Sequence, residues 1–340
     1  MKVLFLSRFY WPHVGGVERH VEHLNRELIK KGHKITVVTL RYESELSKSE
    51  NRDGVKIIRL NCLKAKFFGI FSIWISILQH LDEIRNADVI HAHDVFIWYL
   101  PFKLLFPKKK VYMTFHGYES YPIKRRAIFV RKVSELLSDG NICIGKFIEK
   151  WYGTKADIIS YGAVDLKKFK QKEESKNNYD AIFASRLDEH TGIKTYIDAV
   201  RILKKRGMKF KLLVLGEGKY EKHAKKYSKV AGWVKDPEKY YKKARFAFVS
   251  RYLAILEAFE SKKLVFAVYD NPVKKDYLYM TPYRKWLVIS DNPDDLVKKI
   301  KYYIRNKKER DRMINDAYKW VQNSTWEKMA NNYLSLWKKS

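Results

Sequence analysis

The stretch from Ala244 to Asp270, ARFAFVSRYLAILEAFESKKLVFAVYD, most constrains what this chain can fold into. Residues 246–250 and 264–269 are continuous apolar runs of strand length. Between them lie a tight turn at Arg251-Tyr252 and a helical stretch over 253–261. Strands that are apolar on both faces must be covered on both faces, which suits a parallel sheet packed between helices. Leu253, Leu256 and Glu257 fall on neighbouring positions at helical spacing. A carboxylate there, Glu257, needs solvent or a polar partner; Glu260 lies near the helix end.

Length and composition extend this reading. With 340 residues the chain is expected to form two domains, each with its own core. A hydrophobic content of 46% and an aromatic content of 15% mark a globular chain. The net charge of +31 calls for an anionic partner: a nucleotide, a phospholipid surface, a nucleic acid or a polyanionic glycan. Cys62 and Cys143 give neither a disulfide framework nor a zinc spacing, as expected in a reducing cytoplasm. The opening MKVLFLSRFYWP has too short an apolar run for a signal peptide. The longest uncharged run, 67–81, falls short of the ~20 residues that span a bilayer, so a soluble or peripheral protein is expected. Scarce Gln with abundant Lys and Tyr points to a thermophilic source.

In chain order, 2–7 reads as a strand and 8–16 as a loop ending in Gly15-Gly16. A helix carrying Val17, Val21, Leu24 and Leu28 on one face follows, then a strand at 35–40. This is a βαβ unit. Gly15-Gly16 permits close backbone approach at a helix N-terminus, where a phosphate can bind; a plain tight turn is an equally ready reading. Residues 55–60 form a strand, and 67–78 a helix apolar on all sides, buried or membrane-facing. Strands at 88–94 and 111–116 place His91, His93 and His116 at neighbouring carboxyl ends, where open α/β sheets bind ligands. With Asp94 they offer zinc ligands in principle. No Cys or carboxylate spacing supports a metal, and hydrogen-bonded structural histidines are the default.

From Lys103 to Lys132 basic residues dominate, with Glu119 the one acidic residue. Lys108, Lys109, Lys110, Lys124, Arg125 and Arg126 are interleaved with apolar side chains. They read either as a solvated face or as contacts to an anionic membrane or a lipid-phosphate acceptor. Strands follow at 141–144 and 157–160, then a polar linker at 171–178. A second domain opens with the strand 181–184, and 212–218 contains a glycine turn at Gly216. After 287–290 the chain reads as helical over 292–305 and 307–322. No two aspartates stand two apart, so no D-x-D metal motif is present.

The order of these motifs from His13 to Trp326 resembles the retaining family 4 (group 1) glycosyltransferases of the GT-B fold. His13, Gly15, Gly16, Glu18 and Arg19 match H-x-G-G-x-E-R, and His116-Gly117 matches the H-G position. Tyr161 to Asp165 with Phe169 match Y-G-A-V-D-x-x-x-F. Arg186 and Leu187 match G-R-L-x-x-x-K-G, with Thr191 at the lysine and Lys194 three positions on. Ser250-Arg251-Tyr252 and Leu253 to Ala258 match both flanks of the donor-site segment. Ser324 to Glu327 match S-x-W-E.

The resemblance implies an α/β chain of two Rossmann-like parallel-sheet domains facing a cleft. It implies an acceptor-side domain over 1–169, a donor domain over 179–323, and a helix over 324–340 returning to the first domain. The implied activity is transfer of a sugar from a nucleotide-diphosphate sugar to a hydroxyl of a lipid-linked or glycan acceptor. Transfer would proceed with retention and without metal or cofactor, in the cytoplasm or at the inner face of the membrane. His116 would face the sugar-transfer centre, where the reacting groups must be held still. Glu257 would hold the ribose. Gly15, Gly16, Arg186 and Gly216 would stand on the donor side, where the leaving diphosphate wants cations and N–H groups.

The chain departs from the pattern between Tyr252 and Leu253, where E-G-F-G is missing. The first of the family's two glutamates falls at Val249. Three readings stay open: a rebuilt active site using Arg251 and Lys194, an unusual donor, or a non-catalytic nucleotide- or sugar-binding homologue. A basic nucleic-acid-binding protein is a further alternative from charge alone, but no recognition motif supports it and no nucleic-acid partner is expected.

Overall fold

The structure is a computed structural model that describes residues 1–62, 68–169 and 178–338. The chain forms two compact units: Met1–Ser160 with Trp326–Ser340, and Tyr161–Thr325. Residue 67, residues 171–177 of the linker expected over 171–178, and residues 339 and 340 lie outside the described residues.

The first unit holds β1 (Lys2–Ser7), β2 (Lys34–Leu40), β3 (Ser49–Arg52), β4 (Val55–Leu60), β5 (Val89–His93), β6 (Lys110–His116), β7 (Gly140–Ile144) and β8 (Ile158–Ser160). Their order across the sheet is β3-β4-β2-β1-β5-β6-β7-β8. Every neighbouring pair is parallel except β3 with β4. The short polar edge strand β3, SENR, carries no apolar alternation, so the sequence reading passed over it. The chain winds outward from β1 to β4 and returns beside β1 at β5. The order therefore reverses between β1 and β5, the place where such sheets open a crevice.

Helix Gly16–Lys30 buries His20, Val21, Leu24, Asn25 and Leu28 along one stripe, with Glu22, Arg26 and Lys30 on the outer side. Helix Trp326–Lys338 packs beside it: the Trp326 ring stacks on His23 at 4.8 Å. Helix Phe68–Leu78 buries Ile73 and Ile77 but leaves Phe71, Ile75 and Leu78 in solvent. An apolar sequence all round has thus been divided by packing into one covered and one open face. Among the described residues no helix is long and apolar enough to cross a membrane.

The second unit holds β9 (Tyr179–Ala184), β10 (Leu212–Leu215), β11 (Lys229–Val230), β12 (Ala244–Phe248), β13 (Leu264–Val268) and β14 (Leu287–Ser290), in the order β11-β10-β9-β12-β13-β14. All its pairs are parallel, and the reversal falls between β9 and β12. Phe246 and Phe248 on β12 meet Phe266 on β13 edge to face. Helix Ile193–Lys205 covers them with Tyr196, Ile197, Val200 and Leu203, all fully enclosed.

The segment Tyr161 to Phe169 was expected with the first domain and packs in the second unit. Phe169 meets the Tyr241 ring at 6.0 Å. Gly162, at φ +92, lies so close to helix Tyr252–Glu260 that a Cβ would stand 2.8 Å from Leu253 Cδ2. Apolar contact, not chain proximity, set that boundary.

Candidate active site

In the first unit, β1, β5 and β6 deliver their exits to the reversal point, and helix Gly16–Lys30 starts there. Gly15 caps that helix in an extended conformation. A Cβ at Gly15 would lie 2.2 Å from Glu18 Oε2, so the carboxylate of Glu18 folds back over the helix N-terminus. Its other oxygen lies 3.0 Å from His13 Nδ1. The anion at this helix end is therefore the protein's own. Nothing stands within 4 Å of a Cβ built on Gly16.

Four imidazoles gather beneath. His20 Nε2 meets Tyr333 Oη at 2.9 Å, Tyr333 meets Thr114 Oγ1 at 2.8 Å, and Thr114 meets His91 Nε2 at 2.7 Å. Trp337 Nε1–H donates to His91 Nδ1 at 3.1 Å. An indole only donates, so His91 Nδ1 is the bare acceptor, and the proton sits on Nε2, which donates to Thr114. Burial pushes His20 down to about 3 and His91 well below the usual histidine range. His91 lies within β5 and its side chain meets helix Trp326–Lys338, so it is not at a strand exit as the sequence suggested.

His93 Nδ1 and His116 Nε2 lie 2.9 Å apart. His93 Nε2 is buried without a partner. A stranded acceptor is tolerated better than a stranded N–H, which places the proton on His93 Nδ1, donating to His116. His116 then carries its proton on Nδ1, which has no partner among the described residues. Burial, and then the neighbouring His20, His91 and Arg131, lower the His116 pKa, so the ring is neutral near pH 7. His116 remains partly open to solvent, which moderates that shift without reversing it. Among the described residues no three His, Cys, Asp or Glu side chains are arranged to hold a metal.

Beyond β5, Asp94 adopts a left-handed φ of 59 and accepts from the His116 backbone N–H at 2.9 Å. Surrounding protein raises its carboxyl pKa, moderated by its contact with solvent. Arg131 is 5% exposed. It donates to Gly117 O at 3.0 Å and Glu119 Oε1 at 2.8 Å, and lies 3.8 Å over the Tyr152 ring. A cavity of about 310 Å³ opens here, lined by Asp94, Phe115, Glu119, Lys124, Arg126, Val130 and Arg131 among others.

The structure divides the basic cluster seen in the sequence. Lys108, Lys109 and Lys110 stand at the amino end of β6, with Lys109 Nζ bound to Arg85 O and Ala87 O at 2.6 Å. Lys124, Arg125 and Arg126 stand past its carboxyl end, at the start of helix Arg125–Leu137. The 7 residues of β6 separate the two groups by roughly 20 Å. A continuous basic face over these residues is therefore not formed.

In the second unit, the exit of β9 carries Arg186, whose side chain is 64% exposed with Nε 3.4 Å from Asp188 Oδ2. A Cβ on Gly216 would lie 2.0 Å from Ser185 O, so only glycine there lets the exits of β9 and β10 lie this close. Thr191 turns inward and donates to Asp188 O at 2.8 Å, while Lys194 lies exposed on the helix beyond.

At the exit of β12, Tyr196 donates to Phe266 O at 2.9 Å, so the Ser250 hydroxyl gives its proton to Tyr196 at 2.6 Å and accepts from Val268 N–H at 2.9 Å. Arg251 caps helix Tyr252–Glu260, half-buried in an extended conformation. The Tyr252 N–H donates to Tyr277 Oη at 2.9 Å, and the two rings stack at 3.8 Å. The first N–H of that helix is thus spent on Tyr277 and is not free beside Arg251. Glu257 is 4% exposed and Glu260 1%; Gln322 Nε2 donates to Glu260.

Sequence reasoning missed His20, Arg131, Tyr277 and Lys274, and offered Asp94 only as a metal ligand. Lys274 is 2% exposed and donates to Ser250 O. Lys274 and Lys275 are adjacent lysines in the sequence, and only the packing of helix Pro272–Tyr279 shows which of them is enclosed.

Two doubly wound parallel sheets, each collecting polar side chains at its reversal point, define an α/β protein of the GT-B fold. Residues 14–158 match the family described as Glycosyltransferase Family 4, and residues 164–320 match Glycosyl transferases group 1. The chain belongs to the group 1 glycosyltransferases. It is 24% identical to the uncharacterised glycosyltransferase MJ1178 of Methanocaldococcus jannaschii, over 96% of this chain and 95% of that protein. The sucrose-phosphate synthase of Thermosynechococcus elongatus superimposes with a TM-score of 0.78 at 15% identity, over 99% of this chain and 98% of that one. The Anabaena protein Alr3699/HepE in complex with UDP-glucose gives 0.74 at 14% identity, over 98% and 99%.

Proposed function

We propose that this chain transfers a hexosyl group, with retention and without a metal, from a nucleotide-diphosphate sugar to a hydroxyl of a lipid-linked or glycan acceptor. The second unit takes the donor and the first the acceptor. The observation that carries the reading is the set of cations at the β9–β12 reversal. Arg186 and Arg251, at the exits of β9 and β12, would meet the negative charge that develops as a diphosphate departs. The UDP-glucose complex of the Anabaena neighbour supports the donor class. In the first unit, neutral His116 presents an N–H donor to a sugar hydroxyl or ring oxygen. Glu257 is the candidate for the ribose hydroxyls, and Gly15, Gly16, Gly216 and Lys194 for the donor's surroundings.

The acceptor reading is supported by the open face of helix Arg125–Leu137, where Arg125, Phe129, Lys132 and Leu136 are all exposed. Basic and apolar side chains on one face suit an anionic lipid surface. This face supports the reading of work at the cytoplasmic side of a membrane.

A panel of UDP-, GDP-, ADP-, CDP- and TDP-sugars in thermal unfolding, followed by NMR of the product anomer, tests the proposal. One donor is expected to raise Tm and to give an axial-to-axial or equatorial-to-equatorial product in the presence of EDTA. Stabilisation without transfer to any lipid or glycan acceptor would favour a non-catalytic binding protein. An inverted anomer would end the retaining assignment. Salt-sensitive binding of random duplex with no response to any donor would favour the nucleic-acid reading.

A further inference from the structure

Lys274 lies on helix Pro272–Tyr279, just past the exit of β13, and reaches across to the exit of β12. It is 2% exposed. Its Nζ donates to Ser250 O and sits 4.0 Å over the Tyr277 ring. An ammonium has three N–H donors, and this one carbonyl is its only hydrogen-bond acceptor among the described residues. No carboxylate lies within ion-pairing distance of it there. The groups facing it from the packed elements are Arg251 from the exit of β12, Asp270 from that of β13, and Asp188 from that of β9. Ser250 and Tyr196 nearby are neutral: Ser250 gives its proton to Tyr196, and Tyr196 gives its own to Phe266 O.

Burying a cation without a counter-ion is costly, and an apolar side chain of the same length would fill the space more favourably. Support of the Ser250 carbonyl needs one neutral donor, not an ammonium. The location is also particular: the carboxyl ends of β9, β12 and β13, at the reversal point where open α/β sheets receive ligands. Thr191 is turned inward and Lys194 is exposed on a neighbouring helix, so neither supplies an enclosed cation at this crevice.

We propose that Lys274 is a donor-site residue, pairing with Arg251 to form an anion-binding pocket at the β12 exit that receives the phosphates of the donor. The inference rests on the nucleotide-sugar reading above. Burial, then Arg251, depress the Lys274 pKa in the unliganded protein. An arriving anion reverses that environment and raises it. Binding therefore takes up a proton, and affinity falls as pH rises through the interval between the two values.

Calorimetry of the full chain with inorganic pyrophosphate and with nucleoside diphosphates, at pH 8.5 in two buffers of different ionisation enthalpy, reads this directly. Lys274→Met is expected to weaken binding ~10-fold or more and to abolish the proton uptake seen with the wild type. Thermal unfolding of the unliganded Lys274→Met is expected at the wild-type temperature or above. Lys274→Arg, which stays charged, keeps measurable affinity and takes up no proton. Lys226→Ala, at the opposite end of the sheet, controls for non-specific attraction. Unchanged pyrophosphate and nucleotide binding in Lys274→Met overturns the inference and leaves the donor reading standing. Loss of the unliganded fold in both variants overturns it in favour of a structural lysine. Absence of nucleoside diphosphate binding in the wild type removes both.

Discussion

The two units share one scaffold and fill it with opposite chemistry. Each is a parallel sheet whose order reverses beside its first strand. At its reversal point the first unit collects neutral imidazoles: His20, His93 and His116, with His91 behind them. These are tied through Tyr333 and Thr114 to helix Trp326–Lys338. The second collects cations: Arg186, Arg251 and the enclosed Lys274. A sheet of this kind fixes where a ligand sits, and the side chains at the strand exits decide what it is. Neutral rings suit hydroxyls; cations suit phosphates.

The sharpest break of this comparison is acid. His20 is held near 3 when folded against 6.5 in an open chain, and His91 is lowered too. Such a group adds stability above pH 6.5 and loses it as pH falls, because the unfolded chain binds the proton first. Each is expected to cost ~1.4 kcal/mol per pH unit below 6.5. Urea unfolding at pH 7, 6 and 5 should show the first unit weakening before the second. Equal acid sensitivity in both would mean the imidazoles are not held neutral.

His116→Ala comes next, with kcat expected to fall ~100-fold or more while the unfolding midpoint stays close to wild type. A change confined to KM for the acceptor would make His116 a binding group only.

On the cationic side, Arg186→Ala should weaken nucleoside diphosphates by ~1.5–3 kcal/mol and leave the bare nucleosides unchanged. Equal losses for both would take Arg186 off the phosphates. Arg251→Ala is expected to lower donor kcat/KM ~10-fold, about 1.4 kcal/mol. Inserting Glu-Gly-Phe-Gly after Tyr252 should reduce that dependence.

The smallest effect concerns the surface. Lys132→Ala on helix Arg125–Leu137 should weaken anionic vesicle binding by ~1 kcal/mol, and 0.5 M salt should release the wild type. Flotation that does not distinguish neutral from anionic vesicles would return this face to ordinary solvent.

Most of the architecture was legible because buried parallel strands leave long apolar runs. The runs around Phe246 and Val265 could belong to little else. Helix Gly16–Lys30 was legible from its apolar stripe, and the placement of His116 from the end of such a run. The polar edge β3 left no such trace. The membership of Tyr161 to Phe169 in the second unit depends on contacts remote in sequence, with Tyr241 and Leu253.

The site was less legible for the same reason. A sequence shows that Lys274 and Lys275 are charged, but burial is a property of the packed helix. It shows four histidines at positions 20, 91, 93 and 116, but tautomer and pKa follow from which atoms of Tyr333, Thr114 and Trp337 they meet. By itself the sequence determined the strands, the helices and the residue types available at the strand exits, because local periodicity encodes which faces must leave water. The tertiary structure alone decided which of those side chains are enclosed, paired or left open, because that depends on groups brought together from distant parts of the chain.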